Sequence, residues 1–193
     1  HEAPAVPEPL GAGRDAMVTA LGTGGAFVLT WVGGGLVHVR RYGVDARPTD
    51  AAPTRYEAGT WVKAAALGPG GEFVVVSGDG SHVYVQRFGA DGSMSSTVPV
   101  LLDGVSTGGE DQRPQVSALG DGGEFVVTWY GRDNDSTSSN DFSIYVQKFA
   151  ADGTAAAYPR VKLEAIGNSV GFDAVPSAVA LGDEGEFLVV WEG

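Results

Sequence analysis

The densest run of side chains able to do chemistry lies at residues 131–141, where Asp133, Asp135 and Asp141 stand beside Asn134 and Asn140. Their carboxylate and amide oxygens are hard donors suited to calcium. Asp133, Asp135, Asn140 and Asp141 are therefore the candidate metal ligands, with Ca2+ as the expected ion, against the plainer reading of a solvated loop. Three further acids, Asp45, Asp91 and Asp152, each follow an apolar strand pattern. They could hold calcium between units, but an aspartate at such a place more commonly accepts hydrogen bonds from its own turn. Trp61 and Tyr56 are the candidate ligand-binding aromatics, able to stack on a sugar face. Trp31, Trp129 and Trp191 share one repeated position, where copy two has Ser77. Their repetition points to core packing between units.

Catalysis finds no comparable group. The histidines are His1, His38 and His82, without a His-Glu-x-x-His pattern. No Gly-x-Ser-x-Gly elbow occurs, and the absence of cysteine removes thiolate nucleophiles, thiolate metal sites and disulfides. Glu72, Glu124 and Glu186 recur before a repeated Phe, so they read as scaffold rather than paired catalytic carboxylates. The chain is expected not to be an enzyme. Its net charge of −12 excludes a phosphate-tracking surface, so no nucleic-acid partner is expected. No apolar run approaches the roughly 18 residues of a membrane helix, and no charged segment followed by an apolar one opens the chain in the manner of a signal peptide.

The elements that must position these residues come from a repeat. Ala20-Leu21-Gly22, Ala66-Leu67-Gly68, Ala118-Leu119-Gly120 and Ala180-Leu181-Gly182 each open a Gly-rich turn. An apolar run follows each time, starting at Phe27, Phe73, Phe125 and Phe187. A second module, His38 to Tyr42, Tyr84 to Phe88 and Tyr145 to Phe149, follows the first three copies and leads into the turn aspartates. Asp-Gly between β-rich runs is a hairpin signal, since glycine takes the positive φ that the turn needs.

The unit reads as a four-strand meander whose second strand, nearly all apolar, is covered on both faces. Its weaker fourth strand falls, for example, at Val98 to Leu102 or Val161 to Leu163. Residues 1–193 form one repeat domain, with units of approximately 12–58, 59–110, 111–172 and a partial 173–193. The fold class is all-β: a β-propeller-like array of four-stranded antiparallel blades, or alternatively a β-sandwich of hairpins. The partial unit leaves three arrangements open: a ring closed through the N-terminal segment, continuation in a larger polypeptide, or two chains completing one ring as a homo-oligomer.

Leu119 to Trp129 (Leu-Gly-Asp-Gly-Gly-Glu-Phe-Val-Val-Thr-Trp), followed by Ile144 to Gly153 (Ile-Tyr-Val-Gln-Lys-Phe-Ala-Ala-Asp-Gly), resembles tandem repeats of large secreted bacterial proteins. These are RTX-associated adhesins and haemolysin-type calcium-binding proteins. The resemblance implies a secreted or cell-surface binding, adhesion or assembly module, with a protein or glycan partner at the cell surface. It does not carry calcium ligands with it, because the Gly-Gly-x-Gly-x-Asp nonapeptide is absent. The alternating Asp133 and Asp135 match only the start of an EF-hand loop; its glycine and closing glutamate are missing. A lectin-like carbohydrate-binding module is the alternative function, and a polysaccharide-active enzyme the third.

Two breaks in the repeat single out function. The step from the repeated Phe to the strand-three aromatic is 15 residues in copies one and two and 24 in copy three, which places nine extra residues at 131–141. Added loop length on a rigid scaffold is where function concentrates. Trp61 falls outside the repeated aromatic positions. Arg40, Gln86 and Gln147 align, as do Arg41, Arg87 and Lys148, and they are expected on polar faces of strand three, where clustered cations could hold an anion.

Overall fold

A computed structural model describes residues 13–57, 59–96, 99–102, 112–132, 142–156, 160–163, 174–182 and 185–192. The Gly-rich turns and β-branched runs produce strands throughout, and no helix occurs among the described residues. The first sheet holds β1 (Arg14–Ala20), β2 (Phe27–Gly33), β3 (Leu36–Tyr42) and β4 (Thr54–Glu57). The second holds β5 (Trp61–Ala66), β6 (Phe73–Gly78), β7 (Val83–Phe88) and β8 (Val100–Leu101). The third holds β9 (Gln112–Ala118), β10 (Phe125–Arg132), β11 (Phe142–Phe149) and β12 (Val161–Leu163). A fourth pairs β13 (Ala174–Ala180) with β14 (Phe187–Glu192). Every sheet is an antiparallel meander in chain order.

Register explains the repeated aromatics. Phe27 lies opposite Tyr42, Phe73 opposite Phe88, and Phe125 opposite Phe149. The three pairs stack with ring centroids 4.9, 4.6 and 4.7 Å apart, each fixing the alignment of strand two on strand three. The repeated acids before these Phe residues are scaffold. Glu72, Glu124 and Glu186 offer backbone carbonyls to Leu67, Leu119 and Leu181, closing the Gly-rich turn as Ala26 does for Leu21.

The sheets pack face to face in sequence order. The forward side of sheet 1 (Leu21, Val28, Val37, Val39) meets the rear side of sheet 2 (Val62, Ala64, Phe73, Val75, Phe88). The forward side of sheet 2 (Leu67, Val74, Val76, Val83, Val85) meets Phe125, Val127, Trp129 and Phe149 of sheet 3. Leu119, Val126 and Val146 then cover Ala178, Phe187 and Val189 of sheet 4. Strand β6, with neighbours on both sides, is buried along its whole length.

The propeller-like expectation holds for the four-stranded blades and their sequential packing, but ring closure is not found among the described residues. Sheets 1 and 4 are the open ends of a row: Val18 of β1 is 62% exposed and Leu188 of β14 is 50% exposed. The two-sheet sandwich is not what the chain forms either, since four sheets stack in succession.

Polar links run in the same direction. The Asp15 carboxylate accepts the Val62 amide across 2.6 Å and lies 3.5 Å from the Lys63 ammonium, tying β1 to the edge of β5. Arg41 pairs with Asp50 at 3.1 Å and donates to the Ala90 carbonyl in the Asp-Gly turn of the next unit. A β-carbon at Gly92 would lie 2.5 Å from Arg41 Nε, and one at Gly153 would lie 2.8 Å from Arg87 Cδ. Arg41 and Arg87 thus each lie over the glycine of the next unit's Asp-Gly turn. Ala46 holds the equivalent place in unit one, with φ at +57°.

Strand three corrects one expectation. Arg40, Gln86 and Gln147 do not form an exposed polar face: they are 8%, 1% and 8% exposed. The two amides satisfy themselves locally, each donating from Nε2 to the next residue's carbonyl at 2.9 Å. The aligned cations do not converge as an anion site. Arg41 and Arg87 serve successive turns, and Lys148 pairs with Glu124 at 3.1 Å.

Candidate functional site

In each unit the turn between strands two and three lies at the same sheet edge as the start of strand one. That edge differs most from copy to copy. Unit one closes it with Gly34-Gly35, both at positive φ, as a tight hairpin requires. Unit three carries its insertion here, and β10 and β11 continue as a paired ladder to Arg132 and Phe142. Gly131 and Arg132 therefore belong to the strand rather than the loop. Asp133, Asp135, Asn140 and Asp141, the expected calcium ligands, lie outside the described residues. Among the described residues no group of three or more potential ligands gathers to hold a metal ion.

Unit two builds a polar tip around Asp79. Its Oδ1 accepts the backbone amides of Ser81 and His82 at 2.7 and 2.8 Å. Its Oδ2 accepts the Tyr84 hydroxyl at 3.0 Å and sits 3.2 Å from His82 Nδ1. Partial burial alone would raise the Asp79 pKa, but these four hydrogen bonds outweigh it and hold the carboxyl below its ordinary value. The Thr60 hydroxyl, one residue before Trp61, donates to the Asp79 carbonyl at 3.2 Å, joining the start of β5 to the tip. The His82 and Asp79 side chains remain 42% and 35% exposed, so the group faces solvent.

Trp61 lies at this same edge. It pairs with Gly78 across β5 and β6, and its indole runs beside the backbone of Gly78 and Gly80. A β-carbon at either position would meet the ring at ordinary contact distance, 3.6 and 3.9 Å, and Trp61 itself is half-buried. Strand alternation puts Trp61 on the forward face and Tyr84 on the rear face, with the Asp79 tip between them. Trp61 also has a place in the repeat that the sequence conceals. Asp15, Arg113 and Val175 occupy the equivalent position, all at positive φ beside a register shift, whereas β5 runs in regular register from Trp61 onward.

Tyr56 is corrected. Its ring belongs to the core between sheets 1 and 2 and is 9% exposed, so it offers no surface for stacking. Burial pushes its hydroxyl pKa well above the ordinary value, and the neighbouring Ser77 hydroxyl offsets only part of that. Neither hydroxyl makes a hydrogen bond of normal geometry. The repeated tryptophans pack as core: Trp31 and Trp129 are 4% and 1% exposed, and Trp191 packs beside Tyr130 and Ile144. Ser77 stands in copy two, where the Tyr56 hydroxyl of the preceding unit reaches it.

The turn aspartates cap their own turns. Asp45 accepts the Arg47 amide at 3.0 Å. Asp91 accepts the Ser93 amide and hydroxyl at 2.9 and 2.6 Å, and Asp152 accepts those of Thr154 at 2.8 and 2.6 Å. The serine and threonine hydroxyls, followed by their amides, hold both carboxyls below their ordinary pKa. The Asp79–His82–Tyr84 group escaped sequence reading because its members are ordinary polar residues. Its one sequence signal is Asp79-Gly80-Ser81-His82 between two strands, a four-residue loop absent from unit one.

No protein-family model and no curated protein matches the sequence. Among solved structures the chain is similar to the endo-arabinase from Bacteroides thetaiotaomicron VPI-5482, at 11% identity over 92% of this chain and 88% of that one, with a TM-score of 0.34. A likeness at that score assigns neither fold nor activity. The architecture here stands on the strand order and packing described above.

Proposed function

We propose that this chain is a non-catalytic binding module of a secreted or cell-surface protein, and that the strand-two/strand-three edge of unit two binds carbohydrate. One observation carries this reading: the half-buried Trp61 indole shares an edge with the solvent-facing Asp79–His82–Tyr84 group, where the copies diverge. An indole face stacks on the C–H face of a pyranose. A carboxylate and an imidazole at the same edge supply the acceptor and donor that sugar hydroxyls need. The repeated residues are absorbed in packing and turn closure, which leaves this edge for recognition.

A glycan array followed by calorimetry tests the proposal. Binding of at least one glycan class is expected, weakened about tenfold or more by Trp61→Ala and also reduced by His82→Ala, with far-UV circular dichroism unchanged. An array without a hit overturns the carbohydrate reading. So does binding that is indifferent to both substitutions.

A further inference from the structure

The Trp61 edge is approached from both neighbouring units. From unit one, the Asp15 carboxylate accepts the Val62 amide and lies 3.5 Å from the Lys63 ammonium, so its charge is already answered. From unit three, Pro114 closes on the same edge: a β-carbon at Gly78 would lie 3.3 Å from Pro114 Cδ and 3.6 Å from Trp61 Cε3. Proline Cδ is joined to the nitrogen that follows the Arg113 carbonyl, so the Arg113 backbone passes close to the indole. Asp15 and Arg113 hold equivalent repeat positions, at φ +53° and +47°, where strand one shifts register. Val175 shares that backbone, so the conformation belongs to the repeat and only the side chain is particular. Arg113 is exposed, and its side chain makes no hydrogen bond or ion pair with another described residue. Its neighbours are anchored: Gln112 Oε1 accepts the Tyr130 hydroxyl at 2.8 Å, and Pro114 is buried. A fixed stretch of unit three thus offers a guanidinium at the edge that carries Trp61.

We propose that Arg113 makes this edge selective for acidic sugars, pairing with the carboxylate of a uronate whose ring stacks on Trp61. The inference rests on the carbohydrate reading of the edge and names its ligand class. A guanidinium meets a carboxylate through two parallel N–H···O bonds. The carboxylate of a hexuronate stands at the rim of the ring, off the C–H face that an indole covers. Its donor must therefore come from beside the indole, where unit three brings Arg113. Asp79 reaches the edge from the hairpin of unit two, with both carboxylate oxygens engaged. Its charge repels an acid group on its own side, which sets the sense of binding. The sugar turns its carboxylate toward unit three and its hydroxyls toward the Asp79 hairpin.

An array pairing uronate glycans with the same glycans reduced from carboxylate to primary alcohol tests this on the full chain, with calorimetry on the pair that binds best. The acidic member should bind about tenfold more tightly or better, the scale of a charged hydrogen bond. High salt should narrow the gap, since the pair is exposed. Arg113→Gln should abolish the preference and leave binding of the reduced member unchanged, whereas Trp61→Ala should weaken both members alike. Arg113 is exposed, so folding should survive its replacement, as circular dichroism checks. Equal binding of the two members overturns the inference and spares the carbohydrate reading, and so does a preference that Arg113→Gln leaves intact. An array on which no glycan of either kind binds overturns both.

Discussion

Replacing Gly92 by alanine tests the inter-unit clasp with two separable contributions. Gly92 has φ at +81°, and an alanine held there costs about 1–2 kcal/mol of backbone strain. Its β-carbon would also meet Arg41 Nε at 2.5 Å, and the guanidinium must leave its hydrogen bond to the Ala90 carbonyl to make room. Arg41 is 15% exposed, so a charged hydrogen bond there is only modestly screened, and its disturbance adds about 1–2 kcal/mol. The total of about 2–4 kcal/mol should lower the urea midpoint by about 1–2 M for a slope near 2 kcal/mol per M. In an Arg41→Ala background the second contribution vanishes and the same substitution should cost only the strain. The coupling energy, about 1–2 kcal/mol, is read from the four chains by urea titration followed by tryptophan fluorescence. Equal costs in the two backgrounds would refute the reasoning, because Gly92 would then answer to its own turn alone. Ala46→Gly is the mirror case: relieving an alanine held at a φ of +57° should leave stability unchanged or raise it by up to about 1 kcal/mol.

The Asp79 tip should depend on pH in a definite direction. Because the folded carboxyl titrates below its ordinary value, its contribution is complete above that value and is lost as pH falls through the lowered one. Carboxyl carbon NMR should show the Asp79 pKa rising when Tyr84→Phe removes one hydrogen bond, and an unmoved pKa would count against the geometry. Burial should separate equivalent phenylalanines as well. Phe73→Ala, at a fully buried stacked ring, should cost about 3–5 kcal/mol in chemical denaturation. Phe187→Ala, at the same repeat position on the half-buried sheet 4, should cost less than half of that.

The repeat made the strands legible because Phe-to-Trp runs and Asp-Gly turns encode pairing locally. Strand β12 falls at Val161–Leu163, as its pattern indicates, and β8 lies within the segment from Val98 to Leu102. What the sequence could not show was which face of each strand a neighbouring sheet would cover. Gln86 alternates like a surface residue yet lies in the core, since strand three is covered on both sides in the middle of the row. Tyr56 looked exposed for a related reason: its burial depends on Ser77, twenty-one residues away and in the next unit. Trp61 was visible as an irregularity, but its tie to Asp79 runs through Thr60 and a neighbouring hairpin, a contact that no local pattern reports.

The row of sheets has a thermodynamic consequence. Among the described residues the apolar clusters join each sheet to the sheets before and after it, so cooperativity passes between nearest neighbours rather than through one shared centre. Opening then begins at the described ends of the row and moves inward, with the two described strands of sheet 4, covered on one face, released at the smallest free-energy cost. Amide exchange should be slowest along β6 and β10, where sheets lie on both sides, and should quicken toward β13 and β14. The proposed binding edge of unit two thus sits on one of the last segments to open, so the terminal sheet can fray while that edge stays assembled.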